Sequence, residues 1–444
     1  MSNGTSATVR VGESLKLVNG RAFKPSEWKK SGLPIVRIQN LNDPDAPFNY
    51  YEGQLPEKFL LDNGDLLFAW SGTPGTSFGA HIWRGGKAWL NQHIFKVHFN
   101  EKQFNKRYLQ LAINRNLQEY IRAAHGGAGL AHITKGRFEE SWLSVPPLDE
   151  QERIVSEIEK QFTRLDAGVA SLKRVQTELK RYRGSVLKAA CEGRLVPTEA
   201  ELARKENRSY ETGEQLLQRI LEERRQKWNG KGKYKEPTVP DTTGLPPLPE
   251  AWAWAAMPQL GELSRGKSKH RPRDDPRLYG GPYPFIQTGD IRRSAGTIRE
   301  YTQTYSEYGL QQSRLWPKGT LCITIAANIA ETGILNFKSC FPDSVVGFTH
   351  DGNAATTRYI EFFIRTAKER LAQFAPATAQ KNINLDVLQK VAVPLPSLAE
   401  QTRIVAEAER RLSVLEELAT VVSANLTRAI RLRQAILTEA FTAG

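Results

Sequence analysis

Apolar and polar positions alternate along this chain in two rhythms, and each rhythm occurs twice. From Val155 to Val186 apolar residues return at every third and fourth position, through Ile158, Phe162, Leu165, Val169, Leu172 and Leu179. The same spacing runs from Val405 to Ile436, through Ala408, Leu412, Leu415, Val422 and Ala429. Each run is a heptad seam, the pattern of a helix that packs lengthwise on another helix. Arg183 breaks the first seam and Arg433 breaks the second at the matching place. Two seams in one register are expected to pair with each other. Copies related by a two-fold axis would pair antiparallel, as a rod of about 60 Å for ~40 residues each.

Upstream of each seam the rhythm shortens. HIFKVHF (93–99) and LCITIA (321–326) read as half-buried strands. LPIVRIQNL and YPFIQTGDI read as matching strands that end in polar tips, and 106–124 and its counterpart from Arg358 read as helices. Strand and helix mixed in about 150 residues predicts a compact α+β domain before each long helix.

The matches extend beyond pattern to identity. Glu150, Gln151, Arg153, Ile154 and Val155 recur as Glu400, Gln401, Arg403, Ile404 and Val405, 250 positions on. The same offset sets Pro34 on Pro284 and Ile133 on Ile383, and an offset of 251 sets Arg107-Tyr108 on Arg358-Tyr359. A period this long is a duplicated pair of domains rather than a solenoid. Residues 195–250 have no counterpart, and read as a short helix followed by a Gly-, Lys- and Pro-rich linker. Two heads on a stiff rod cannot read adjacent bases; they suit a split target with an unread gap.

Composition turns this architecture toward nucleic acid. The chain of 444 residues has 62 Lys and Arg against 48 Asp and Glu, a formal charge of +14. Such an excess points to a polyanionic partner. The three cysteines form no CxxC pair, which argues against a disulfide scaffold or a Cys-rich zinc site and for a reducing compartment. No signal-like segment opens the sequence and no run of about 18 apolar residues occurs, so a cytoplasmic location is expected.

Catalytic motifs fare poorly. The Pro-Pro pairs at Pro146-Pro147 and Pro246-Pro247 follow Val145 and Leu245 and precede leucines, unlike the Asn/Asp-Pro-Pro-aromatic motif that holds a flipped adenine. Gly126-Gly127-Ala128-Gly129 lacks dinucleotide-loop spacing, and the seven histidines make no metal-ligand pattern. His93 and His98 flank a strand, where packing explains them. GELSRGKS, Gly261 to Ser268, formally fits the phosphate loop, whose mechanism needs a helix directly after it. Pro272 and Pro276 oppose that helix. The alternatives are a basic loop on DNA phosphates, in which Arg265, Lys267, Lys269, Arg271 and Arg273 alternate without an acid, or a solvated surface loop.

The duplicated openings VPPLDEQERIV and PLPSLAEQTRIV, with the second domain's LPEAW, resemble the specificity (S) subunits of Type I restriction–modification enzymes. The first domain lacks a Leu-Pro-x-x-Trp opening and starts near Val11-Gly12-Glu13. The resemblance implies an α+β fold of two pseudo-symmetric target recognition domains joined by two long helices paired as an antiparallel coiled coil. The expected boundaries are 1–148 for the first recognition domain and 149–200 for a central helical region. A short helix and linker over 201–250, a second recognition domain over 251–397 and a C-terminal helical region over 398–444 follow. It implies a chain without catalysis or cofactor of its own, bound to double-stranded DNA and to two modification (M) subunits, with restriction (R) subunits joining. S-adenosylmethionine and ATP would sit on those partners. A self-standing DNA-binding or architectural protein, and an ATP-using enzyme built on Gly261–Ser268, are the rival readings.

Reading groups are expected on loops after strands. In the first domain these are Gln39, Asn40, Asn42, Ser71, Thr73, Lys135 and Arg137. In the second they are Gln287, Asp290, Arg292, Arg293, Asn328, Gln380, Lys381 and Asn382, beside the five basic residues from Arg265 to Arg273. Amides address adenine, arginine addresses guanine and lysine mostly phosphate. For any one of them, a turn cap or a surface polar group is the alternative.

Overall fold

The computed structural model describes residues 7–43, 45–72, 77–123, 131–230, 232–270, 272–326, 329–350, 352–373 and 383–441. They divide into two compact units, one of residues 1–174 with 422–444 and one of residues 175–421. Each long helix is therefore shared: the first spans Leu148–Cys191 and the second Leu398–Ala440.

In the first unit an antiparallel sheet runs in the order Lys16–Asn19, Ile94–His98, Leu66–Ala69, Gly79–Ile82. The helix Lys106–Arg115 lies on it, and Phe68 stacks on Phe138 at 4.0 Å in the buried core. A second small sheet pairs Leu33–Val36 with Asn49–Tyr51 and, in parallel, with Ala88–Leu90. A ribbon of Ala7–Arg10 and Trp142–Val145 leads into the long helix.

The second unit repeats this plan. Its sheet runs Glu262–Arg265, Val345–Thr349, Leu321–Thr324, Thr332–Leu335, with Gly296–Ile298 added in parallel at the edge. Its ribbon pairs Ala253–Ala256 with Ala392–Leu395. Tyr108 donates its hydroxyl to the Ser144 carbonyl and Tyr359 to that of Pro394, both at 2.8 Å. Gln151 and Gln401 each donate to the carbonyl of the proline five residues earlier, at 2.8 and 2.9 Å. The repeated Glu-Gln-x-x-Ile thus has a physical reason: the amide closes the proline turn and the isoleucine enters the core, with Ile154 at 4% and Ile404 at 0% exposure. Neither turn could close with an apolar residue at the glutamine position, because a buried carbonyl without a donor is costly.

The long helices run antiparallel within each unit, as their seams predict. In the first unit Ile154, Ile158 and Phe162 share a core with Ile436 and Leu437. In the second, Val186, Leu187 and Ala190 share one with Ala408, Leu412 and Leu415. The arginines that break the seams pair across it: Arg433 with Asp166 at 2.7 Å, and Arg183 with Glu416 at 3.9 Å. These are one interaction seen twice, since Asp166 and Glu416, like Arg183 and Arg433, are repeat mates. Arg433 also lies 4.1 Å over the Phe162 ring. A further repeated pair anchors each globular part to its helix, Arg107–Glu159 at 2.8 Å and Arg358–Glu409 at 2.9 Å. Exposed pairs contribute ~0–1 kcal/mol each, so they set register more than stability.

Four expectations change. The stretch 106–124 is two helices, Lys106–Arg115 and Leu117–Ala123, broken at Asn116, whereas its counterpart Ala354–Gln373 is continuous. The strand tips at Gln39 and Gln287 are short helices, Ile38–Asn42 and Thr288–Arg293. The seam is not sealed throughout, for Gln176 and Ala419 are exposed. Residues 195–250 are more than a short helix and linker. Glu199–Glu206 and Gly213–Gln226 are both helical, and Leu216 and Ile220 enter the second unit's core. The Glu199 amide and the Trp252 indole both donate to buried Glu400, and Arg403 pairs with Glu199 at 2.6 Å. In the first unit the same two residue types, Glu150 and Arg153, pair with each other at the surface.

Candidate nucleic-acid interface

The sequence-predicted residues fall into three groups. Some are spent on the fold. Asn40 is buried; its Oδ1 accepts from the Arg37 amide at 3.1 Å and its own amide donates to the Ala46 carbonyl. Asp290 does the same for Gln287 at 2.9 Å, and also accepts from Thr302 and Arg293. These two are repeat mates acting as helix caps, which places them behind the surface rather than on it. Ser71 is buried in a strand paired with Ala131–His132.

Others are exposed. Gln39 and Asn42 lie on the short helix after Leu33–Val36, with Gln39 donating to the Pro47 carbonyl at 3.2 Å. Lys135 and Arg137 lie on the helix Lys135–Glu139, where Lys135 pairs with Glu139 at 3.4 Å. Gln287 donates to Gln303, Arg292 is exposed, and Arg293 is held by Asp290 at 2.6 Å. Thr73, Arg271, Asn328, Gln380, Lys381 and Asn382 lie outside the described residues, as does the glycine-rich run from Gly126.

The segment Gly261–Ser268 is no phosphate loop. Glu262–Arg265 is a sheet-edge strand, and the next helical turn is the three-residue 3-10 turn Pro276–Leu278. Among the described residues no helix follows the glycines directly, so the amide cradle of a phosphate loop is not built here. The basic reading is qualified too. An acid distant in sequence reaches it, since Arg273 pairs with the Asp343 carboxylate at 2.9 Å, and Arg265 donates to the Asp343 backbone carbonyl. Lys267 and Lys269 are exposed and form no ion pair among the described residues. Asp275 is held well below the usual carboxylate range, first by hydrogen bonds from Arg277 and then by His270.

The first unit also carries a concave surface that gathers the sequence-predicted Gln39 and Asn42 with residues that sequence reasoning passed over. A cleft of about 360 Å³ opens where the turn after Leu33–Val36 meets the turn before Ile94–His98, lined by Trp28, Arg37, Gln39, Asn42, Gln92 and His93 among others. Arg37 lies 5.2 Å over the Trp28 ring. The His93 imidazole is pushed down by burial, with His132 and Arg37 adding to it. The signal was faint, because the contributing residues sit about 50 positions apart and none belongs to a spacing motif.

In each unit an α+β domain feeds antiparallel helices, with polar loops beyond its sheet, and no metal-binding cluster occurs among the described residues. Residues 3–181 and 250–414 match the model of the Type I restriction modification DNA specificity domain, and the chain belongs to that family. It is 26% identical over 443 residues to the Type I restriction enzyme EcoBI specificity subunit of Escherichia coli, covering 96% of this chain and 83% of that one. It is 24% identical to a putative type I restriction enzyme specificity subunit of Haemophilus influenzae, over 87% and 82% of the two chains. A solved chain from work on complex assembly and conformational transition of the type I R-M system superposes with TM-score 0.63 over 99% of this chain, at 18% identity. The two-domain fold with paired long helices is thus that of a Type I specificity subunit. No described helix is long and apolar enough to cross a membrane.

Proposed function

We propose that this subunit reads a bipartite double-stranded DNA target, one half per globular unit, and docks two modification subunits along its helices, with restriction subunits joining. S-adenosylmethionine and ATP then belong to those partners. The observation that carries the reading is the duplication with divergence: one scaffold, built twice on the same hydrogen bonds, bears different polar side chains at its loops. Equal scaffolds with unequal loops suit two different half-sites.

The docking of partners rests on a second observation. Val414, Leu418 and Val421 are each about half exposed, and their spacing puts them on one face of the second long helix, away from the buried Leu412 and Leu415. Tyr182 and Val175 on the first long helix are similarly exposed. Apolar stripes of this kind on a helical pair suit further helices.

Methylome sequencing of cells carrying the modification subunit, with and without this chain, tests the reading. The expected result is methylation of one split, asymmetric sequence only when both are present. Methylation that ignores this chain, or a continuous target, refutes it.

A further inference from the structure

We infer that the cleft lined by Trp28, Arg37, Gln39, Asn42, Gln92 and His93 reads base edges in one half-site, with Arg37 and Gln92 as specificity-determining residues. The inference rests on the reading of this chain as a DNA specificity subunit and names where, in the first unit, that reading takes place.

The chemistry of the cleft favours base edges over phosphate. A phosphate site gathers cations and backbone amides. Here one cation, Arg37, stands among three amide side chains, Gln39, Asn42 and Gln92. Carboxamides pair with the adenine N6 and N7 edge, and a guanidinium with the guanine O6 and N7 edge. The Trp28 ring, 5.2 Å from the guanidinium carbon, limits the rotamers of Arg37, which favours two parallel hydrogen bonds to a base. The Gln92 amide lies 3.2 Å from His93 Nε2, so the imidazole orients it.

The backbone beneath is fixed. The Asn91 amide donates to the Val36 carbonyl at 3.3 Å, which ties the two turns together. Gly20 packs so closely that a Cβ there would lie 2.1 Å from the Asn91 carbonyl oxygen. Asn40 caps the short helix from behind. A rigid frame that presents polar side chains is what direct readout needs, since misplacement of either turn would lose paired hydrogen bonds.

The second unit supports this by contrast. There Gly266 packs against the Pro342 carbonyl, where a Cβ would come within 2.3 Å, so the same close approach recurs. By strand register Asp343 stands where Gln92 stands in the first unit, because Phe95 pairs with Asn19 as Val346 pairs with Arg265. Asp343 is engaged by Arg265 and Arg273. One corner of one scaffold thus carries an amide in the first unit and an arginine–carboxylate set in the second, which fits two different half-sites.

The test assembles the full chain with its modification subunit and compares methylated sequences for the native chain, Gln92→Ala and Arg37→Ala, with thermal unfolding as the folding control. Each variant should relax one base position in one half-site, by about 10- to 100-fold in relative methylation, and leave the other half-site and the melting temperature unchanged. Unaltered target sequence with uniformly weaker methylation would assign the cleft to phosphate and overturn the inference. Relaxation in both half-sites would overturn it as well, since the cleft belongs to one unit. A native complex that methylates no split site would overturn the function proposed above, and the inference with it.

Discussion

Cutting the chain after Arg194 should give a fragment that dimerises, and the structure says how well. The first unit in the intact chain is completed by the second long helix from Val422 onward. In a dimer of fragments, the end of the first long helix must take that place. The ion pair survives the exchange, because Arg183 replaces Arg433 opposite Asp166, and Leu187 replaces Leu437 unchanged. Three contacts weaken. Val186 replaces Ile436 and loses a methylene, about 1 kcal/mol. Gly184 replaces Gln434, whose amide donates to the Arg115 carbonyl at 3.1 Å, about 1 kcal/mol. Cys191 replaces Phe441, whose ring lies 5.1 Å from Tyr108 and 5.6 Å from the Arg115 guanidinium.

That aromatic contact contributes about 1–2 kcal/mol in a half-exposed setting. A symmetric dimer meets each loss twice. Cys191→Phe in the fragment should therefore restore about 2–4 kcal/mol and tighten the dimer roughly 30- to 1000-fold. Sedimentation equilibrium of the two fragments measures this, and selection of bound duplexes from a random pool should return an inverted repeat. A monomeric fragment with either residue at 191, or a dimer that Cys191→Phe does not strengthen, would refute the equivalence of the two seams.

Leu415→Asp should unfold the second unit's helical junction, since Leu415 is 7% exposed and a buried carboxylate without a partner costs several kcal/mol, roughly. Leu165→Asp, at a partly buried seam position, should cost less, and thermal unfolding that ranks them the other way would contradict the packing. Glu361 is buried beside Arg358 and Arg365, and burial raises its carboxyl above the ordinary range. Its contribution is present at low pH and lost as pH rises through the raised value. Glu361→Gln, which installs the type found at the repeat mate Gln110, should flatten the fall in stability from pH 4.5 upward; an unchanged pH profile would exclude this role. DNA binding should weaken steeply with salt, and Lys267→Ala should lower the log–log slope by about one if that lysine meets phosphate. A slope insensitive to the substitution removes Lys267 from the interface.

The duplication, the two seams and their antiparallel pairing were legible because each is a periodic pattern repeated in identical residues. Local rules sufficed there: heptad spacing buries one stripe, and two seams broken at Arg183 and Arg433 in the same register suit pairing with each other. The Glu-Gln-x-x-Ile openings were visible as motifs, but their cause was not. Gln151 and Gln401 close a turn onto a carbonyl five residues back, and no spacing rule announces that.

Tertiary structure alone decided which polar loop residues are buried in the fold and which are exposed. Asn40 and Asp290 looked like surface groups and are buried caps, because a short helix begins where a strand tip was expected. Residues 195–250 read as a short helix and a linker, yet Glu199 meets Glu400, about 200 positions away. The basic run from Arg265 met Asp343, which no local reading could supply. The cleft of Arg37 and Gln92 formed from two turns separated by some fifty residues of sequence. Sequence determines the elements whose energetics are local and periodic; which polar side chains remain free for a ligand depends on partners that only folding brings within hydrogen-bond reach.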